Sequence, residues 1–95
     1  MCNDEGVQRR EVLYRGTVQG VGFRFTASRI AVRFQVTGFV ENLADGRVRL
    51  VAEGRCPQIE GFLAAIQEAL GAFIDGAEQT TGAATYTFRT FSIRR

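Results

Sequence analysis

The sequence of 95 residues contains no lysine and no histidine, so all twelve of its basic side chains are arginines. The absence of lysine excludes a P-loop lysine and a Schiff-base nucleophile. The absence of histidine excludes a histidine general base, a phosphohistidine and a histidine-containing metal site. Any chemistry of this chain must therefore depend on arginine, carboxylates, amides, hydroxyls or backbone groups.

Cysteine is also scarce, and its spacing is uninformative. Cys2 and Cys56 lie far apart and form neither a CxxC motif nor a metal-ligand spacing. Two free thiols in a reducing cytosol are the simpler interpretation, and the spacing leaves a disulfide open. The first residues show no cationic region followed by an apolar stretch, so we expect a cytoplasmic protein without a membrane partner.

The composition is that of a small globular domain. The hydrophobic fraction of 45% and the charged fraction of 23% are ordinary, and the net charge of +2 is too small to indicate a nucleic-acid partner. The length predicts one domain, over residues 10–95, after a polar and flexible tail over residues 1–9. We expect a monomer, because no exposed apolar seam is evident.

Hydrophobic periodicity predicts a β-α-β-β-α-β order of elements, in which the last β element is either continuous or divided in two. In chain order these are a strand over 11–18, a helix with Ala27, Ile30, Ala31 and Phe34 on one face, a strand over 38–43, a strand with Val48, Leu50 and Ala52 on one face, a helix from Pro57 to Leu70, a weak strand over 72–79, a loop over 80–84 and a bent strand over 85–95. This order is typical of the α+β ferredoxin-like split β-α-β sandwich, with an antiparallel sheet and both helices on one face. That fold hosts many functions, so the candidate site must decide between them.

The turn over 19–24 joins the first strand to the first helix and carries Gly20 and Gly22. The N-terminus of a helix offers unpaired N–H groups and the positive end of the helix dipole, which both favour an anion. Arg24 adds a planar, permanently charged group suited to phosphate oxygens. Taken alone, the two glycines are equally typical of a tight turn without a ligand.

Asn42 stands at the end of the second strand, just before the Asp45-Gly46 dipeptide that predicts a hairpin. Asparagine at such a position often caps its own turn. Taken alone, Asn42 therefore does not indicate a site.

Together the two segments resemble the acylphosphatase family. The stretch Gly16-Thr17-Val18-Gln19-Gly20-Val21-Gly22-Phe23-Arg24 is similar to the first signature of that family, and the stretch from Gly38 through Asn42 to Gly54 is similar to the second. The resemblance is close over residues 11–54 and looser through residues 91–94. It implies the same ferredoxin-like fold that the periodicity predicts.

The resemblance also implies an activity and a set of site residues. It implies hydrolysis of the carboxyl-phosphate bond of small acyl phosphates without a metal, a cofactor or a covalent intermediate. Arg24 matches the family's catalytic arginine, and Asn42 matches its water-orienting asparagine. The implied phosphate cradle consists of the backbone amides of Gln19, Gly20, Val21, Gly22, Phe23 and Arg24.

The chain departs from the family's pattern at two positions. Glu41 stands where a basic or uncharged residue is usual, and alternation along a strand predicts that its side chain faces away from the side that carries Asn42. We expect this change to affect affinity rather than activity. Tyr14 replaces an aliphatic residue, which we expect to alter packing.

Two alternative functions follow from the same fold. An RNA-binding module would carry aromatic residues on its first and third strands, whereas the third strand here has none. A non-catalytic domain that binds an anion or another ligand would keep the same pocket. The family's signature also occurs at the front of larger hydrogenase-maturation proteins, so the chain alone does not separate a stand-alone enzyme from a domain.

Overall fold

The computed structural model describes residues 6–95, which form a five-stranded sheet with two α-helices. The elements are β1 (Val7–Gly16), α1 (Phe23–Ala31), β2 (Thr37–Asn42), β3 (Val48–Arg55), α2 (Cys56–Leu70), a short 3-10 helix (Gly71–Phe73), β4 (Ile74–Ala83) and β5 (Phe91–Arg94). The strand order across the sheet is β4-β1-β3-β2-β5. The first four strands and the two helices follow the predicted ferredoxin-like topology.

The sheet is mixed rather than fully antiparallel as predicted. Strand β1 pairs antiparallel with β3 and β4, and β2 pairs antiparallel with β3. The fifth strand differs, because β5 pairs parallel with β2 and places Val40 opposite Ile93. The antiparallel prediction is therefore wrong for this edge, where β5 covers backbone groups of β2 that a four-stranded sheet would leave open.

One hydrophobic core lies between the helices and one face of the sheet. Helix α2 contributes Ile59, Phe62 and Ile66, all fully buried, and the sheet contributes Val12 and Leu50, which lie opposite each other in the register of β1 and β3. Both helices contribute to this single core and contact each other, as predicted. The alternate side chains along each strand point to the other face of the sheet, away from the helices.

Strand β1 begins earlier than the sequence predicts. Residues 7–9 were expected in the flexible tail, but Val7 pairs with Arg55 and Arg9 pairs with Glu53 on β3. The predicted boundary at residue 9 is therefore wrong, because backbone pairing between two neighbouring strands outweighs the polar local sequence. Residues 1–5 of the predicted tail lie outside the described residues.

The C-terminal third differs most from its prediction. Strand β4 continues to Ala83, through most of the predicted loop over 80–84, and the predicted strand over 85–95 is reduced to β5. Glu53 explains the change, since its buried carboxylate accepts hydrogen bonds from the backbone N–H groups of Thr85 and Tyr86, at 2.9 and 3.0 Å. These bonds hold the 84–90 segment on the sheet face opposite the helices, where the rings of Phe39 and Phe88 are 5.7 Å apart.

Helix α2 begins at Cys56, one residue before the predicted start, with Pro57 in its first turn. Cys56 is buried and disulfide-bonded, so the expectation of a free thiol at this position is wrong. Cys2 lies outside the described residues. No helix within residues 6–95 is long and apolar enough to cross a membrane.

Candidate anion-binding site

The turn between β1 and α1 presents backbone N–H groups at the N-terminus of a helix. Gly20 and Gly22 have φ angles of 82° and 77°, in the left-handed region that favours glycine. Gly22 is the N-cap of α1, and within the described part of the chain no side chain caps this helix end. The first turn of α1 also contains no acidic side chain. These N–H groups and the dipole of α1 therefore favour an anion at this end.

Arg24 lies in the first turn of α1 and is half-buried. Its Nη1 donates a hydrogen bond to the backbone carbonyl of Arg94 on β5, at 3.3 Å. The edge strand β5, which is shorter than the predicted strand over 85–95, thus helps to position the guanidinium. The remaining N–H groups of the fork are available to a phosphate.

Asn42 ends β2, and its side chain is exposed. It belongs to the same alternating set as Val40, whose side chain is buried in the core on the helix side of the sheet. Because Asn42 is two residues after Val40 on the same strand, its side chain points to the helix side of the sheet, where α1 begins.

The structure brings Arg24 and Asn42 together in one pocket of about 270 Å³. The lining residues are Val18, Gly20, Gly22, Phe23, Arg24, Phe25, Asn42, Ile93 and Arg95. The two arginines have the only charged side chains among these lining residues, and no aspartate or glutamate is one of them. Four of the six predicted cradle residues line it, and the other two, Gln19 and Val21, lie in the same turn without lining it.

The side chain of Gln19 has a structural role that the sequence analysis did not predict. Its Nε2 donates hydrogen bonds to the carbonyls of Leu43 and Arg47, at 2.8 and 2.9 Å. Both carbonyls belong to the hairpin turn that follows Asn42. Gln19 therefore joins the 19–24 turn to the hairpin turn over 42–47, and so joins the two segments that carry Arg24 and Asn42.

The hairpin turn is also stabilised from within. The Leu43 N–H donates to the Arg47 carbonyl at 2.8 Å, and Asp45 accepts from the backbone N–H of Arg47 at 3.1 Å. That backbone hydrogen bond, together with the Arg47 guanidinium, lowers the pKa of the Asp45 carboxyl below its ordinary value. The turn that directly follows Asn42 is thus held by short-range bonds.

The two departures from the family's pattern have direct structural explanations. Glu41 lies on the sheet face away from the pocket and forms an ion pair with Arg49 at 3.2 Å, so its predicted orientation is confirmed. Arg49 also pairs with Glu11 of β1. Tyr14 is buried against Phe23 beneath the start of α1, with ring centroids 4.9 Å apart, and burial raises the pKa of its hydroxyl.

The fold and this pocket define a ferredoxin-like α+β domain with a candidate anion-binding turn at the N-terminus of its first helix. The family model for acylphosphatases matches residues 10–93. This match covers most of the sequence, and the chain belongs to the acylphosphatase family.

Individual relatives agree with this assignment. An acylphosphatase of Syntrophotalea carbinolica is 47% identical over 60 residues, which are 63% of this chain and 65% of that protein. The matched segment therefore spans slightly less than two thirds of that relative. The crystal structure of acylphosphatase from Bacillus subtilis superposes with a TM-score of 0.79 at 29% identity, covering 94% of this chain and 99% of that one.

A larger protein contains the same fold. The crystal structure of HypF from T. kodakarensis is similar with a TM-score of 0.79 and 31% identity. The similarity covers 93% of this chain but 12% of HypF. The chain is therefore similar both to a small acylphosphatase over nearly its whole length and to one part of a much longer protein.

Proposed function

We propose that this chain hydrolyses the carboxyl-phosphate anhydride bond of small acyl phosphates, releasing a carboxylate and inorganic phosphate. The observation that carries the proposal is the shared pocket, in which the turn over 19–24, Arg24 and Asn42 come together. Family membership supports the same reaction.

In the proposed complex, the phosphoryl group lies on the N–H groups of the 19–24 turn, and the Arg24 guanidinium binds its oxygens. Both groups offset negative charge on a dianionic ligand, and their effect increases as charge develops on the transferring phosphoryl group. The turn is already held by its glycine conformations and by the Gln19 hydrogen bonds. Little reorganisation is therefore needed when the substrate binds.

Asn42 is the proposed holder of the attacking water, because an amide side chain can both accept from and donate to a water molecule. The water oxygen forms a bond to phosphorus, and the bond between phosphorus and the acyl oxygen breaks. The electron pair of that bond leaves with the carboxylate, which is a good leaving group. The proton of the water passes to a phosphate oxygen of the substrate, so the proposed reaction has no covalent enzyme intermediate.

The test is hydrolysis of benzoyl phosphate in the presence of a chelator, followed by ultraviolet absorbance and carried out in water enriched in oxygen-18. We expect metal-independent turnover with the label in the released phosphate and none in the benzoate. Label in the benzoate would contradict attack at phosphorus. A folded protein that binds inorganic phosphate but does not hydrolyse the substrate would instead be a non-catalytic anion-binding domain.

The chelator in this assay tests whether turnover needs a metal ion. Among residues 6–95, no group of three or more histidine, cysteine, aspartate or glutamate side chains is arranged to hold a metal ion. The proposed roles use only groups of this chain, and loss of turnover on addition of the chelator would overturn that assignment.

A further inference from the structure

Phe25 is a large apolar side chain that the proposed chemistry does not use. It lies in the first turn of α1, directly after Arg24, and is 61% exposed. Other large hydrophobic side chains of the described residues are exposed elsewhere, but Phe25 is the one of them that lines the pocket with Arg24 and Asn42. Its exposure shows that Phe25 contributes little to the core.

Two other apolar lining residues, Val18 and Phe23, form the inner wall of the pocket, and a third, Ile93 of β5, is half-buried. Val18 and Phe23 are 0% and 2% exposed, so the core already surrounds them. A phosphate on the N–H groups of the 19–24 turn would lie against this filled wall. We expect the acyl group of a bound substrate to extend away from this wall, toward the exposed ring of Phe25.

The ring of Phe25 has a neighbour on its own helix. The Arg29 guanidinium, one turn further along α1, lies 5.7 Å from the ring centroid. This contact favours a defined ring position on the helix surface. A ring held in this way offers a flat apolar surface in a pocket that two arginines line.

We propose that Phe25 binds the acyl group of the substrate and gives the chain a preference for acyl phosphates with aromatic acyl groups over acetyl phosphate. This inference rests on the proposed function and adds the substrate class. The physical basis is burial of two apolar surfaces and the additional attraction between aromatic rings. A methyl group presents too little surface to benefit in the same way.

The first experiment compares kcat/KM for benzoyl phosphate and acetyl phosphate in the wild type, in Phe25→Ala and in Val32→Ala. Val32 is the matched control, because it is 85% exposed next to the other end of α1 and does not line the pocket. In Phe25→Ala we expect the ratio of benzoyl to acetyl phosphate to fall about three- to tenfold, the size of one aromatic contact. Phe25→Tyr should restore the ratio, and Val32→Ala should leave it unchanged.

A binding experiment separates failure of this inference from failure of the proposed function. Phenylphosphonate and methylphosphonate share a phosphonate group and differ in the organic group, and their affinities can be measured by calorimetry without turnover. We expect the wild type to prefer phenylphosphonate and Phe25→Ala to lose that preference. The role of Phe25 would be overturned if the wild type and Phe25→Ala had the same preference for phenylphosphonate. It would also be overturned if Phe25→Ala lost kcat/KM equally for benzoyl phosphate and acetyl phosphate. If the wild type did not hydrolyse the substrates but preferred phenylphosphonate, and Phe25→Ala lost that preference, the proposed hydrolysis would be overturned and the Phe25 contact supported.

Discussion

Replacing Gln19 with methionine tests whether the two halves of the site are held together by one side chain. Methionine is similar in length to glutamine but has no N–H donor, so it removes the bonds to the Leu43 and Arg47 carbonyls. Each carbonyl keeps another partner, because Leu43 also accepts from the Gly46 N–H and Arg47 also accepts from the Leu43 N–H. The substitution therefore leaves neither carbonyl without a hydrogen bond.

The magnitude follows from these two bonds. A typical hydrogen bond contributes about 1 kcal/mol to the net free energy of unfolding, so Gln19→Met should lower it by about 2 kcal/mol. Turnover should also fall, because Asn42 directly precedes the released hairpin turn. A shift of about 1 Å in a positioned group can slow a reaction on the order of a hundredfold. We expect kcat for benzoyl phosphate to fall about 10- to 100-fold in Gln19→Met.

Gln58→Met is the matched control. Gln58 is also half-buried, and its side chain accepts a hydrogen bond from the Gln35 backbone N–H at 2.9 Å, away from the pocket. Its replacement should lower the free energy of unfolding by about 1 kcal/mol and leave kcat unchanged. Urea unfolding and steady-state kinetics measure both quantities. Equal kcat values for Gln19→Met and Gln58→Met would refute the proposed coupling.

Two further predictions concern the fold. Burial alone would raise the pKa of Glu53, but hydrogen bonds from the Thr85 backbone and its neighbours lower it below the ordinary value of 4.5. The ionised Glu53 carboxylate therefore stabilises the fold above pH 4.5, and this stabilisation is lost as the pH falls through its lowered pKa. Glu53→Gln should destabilise the protein at neutral pH by about 2 kcal/mol and make the free energy of unfolding depend less on pH on the acid side. Profiles of this free energy against pH, measured by urea unfolding, that run parallel in the wild type and the variant would contradict this. A Cβ at Gly38 would lie 1.9 Å from the Val51 carbonyl oxygen, whereas one at Gly82 would meet nothing within 4 Å. Gly38→Ala should lower the free energy of unfolding by about 3 kcal/mol and Gly82→Ala by less than about 1 kcal/mol, and similar values would be inconsistent with the tight β2–β3 contact.

The helices and the central strands could be predicted because their apolar residues repeat with the period of the element. Ile59, Phe62 and Ile66 are all fully buried on one face of α2. The pocket could be predicted in part for a related reason. The 19–24 turn must leave a strand and open a helix, and that geometry alone brings unpaired N–H groups to one place.

The remaining features depend on contacts between distant parts of the chain. The 84–90 segment has strand-forming residues, but the carboxylate of Glu53, more than thirty positions earlier, takes its N–H groups out of the sheet. Gln19 was assigned only a backbone role, because no local pattern shows that its side chain reaches the hairpin turn. The parallel β2–β5 pair likewise depends on where the chain returns after β4.

The central claim is that Arg24 binds the phosphoryl group and Asn42 positions the water. The most direct test measures kcat for benzoyl phosphate and the inhibition constant of inorganic phosphate in the wild type, Arg24→Ala and Asn42→Ala. We expect both variants to lose at least about a hundredfold in kcat, equivalent to about 2.7 kcal/mol of transition-state stabilisation. Phosphate affinity should fall in Arg24→Ala and remain near the wild-type value in Asn42→Ala. Wild-type turnover in Asn42→Ala, or unchanged phosphate affinity in Arg24→Ala, would contradict the assigned roles.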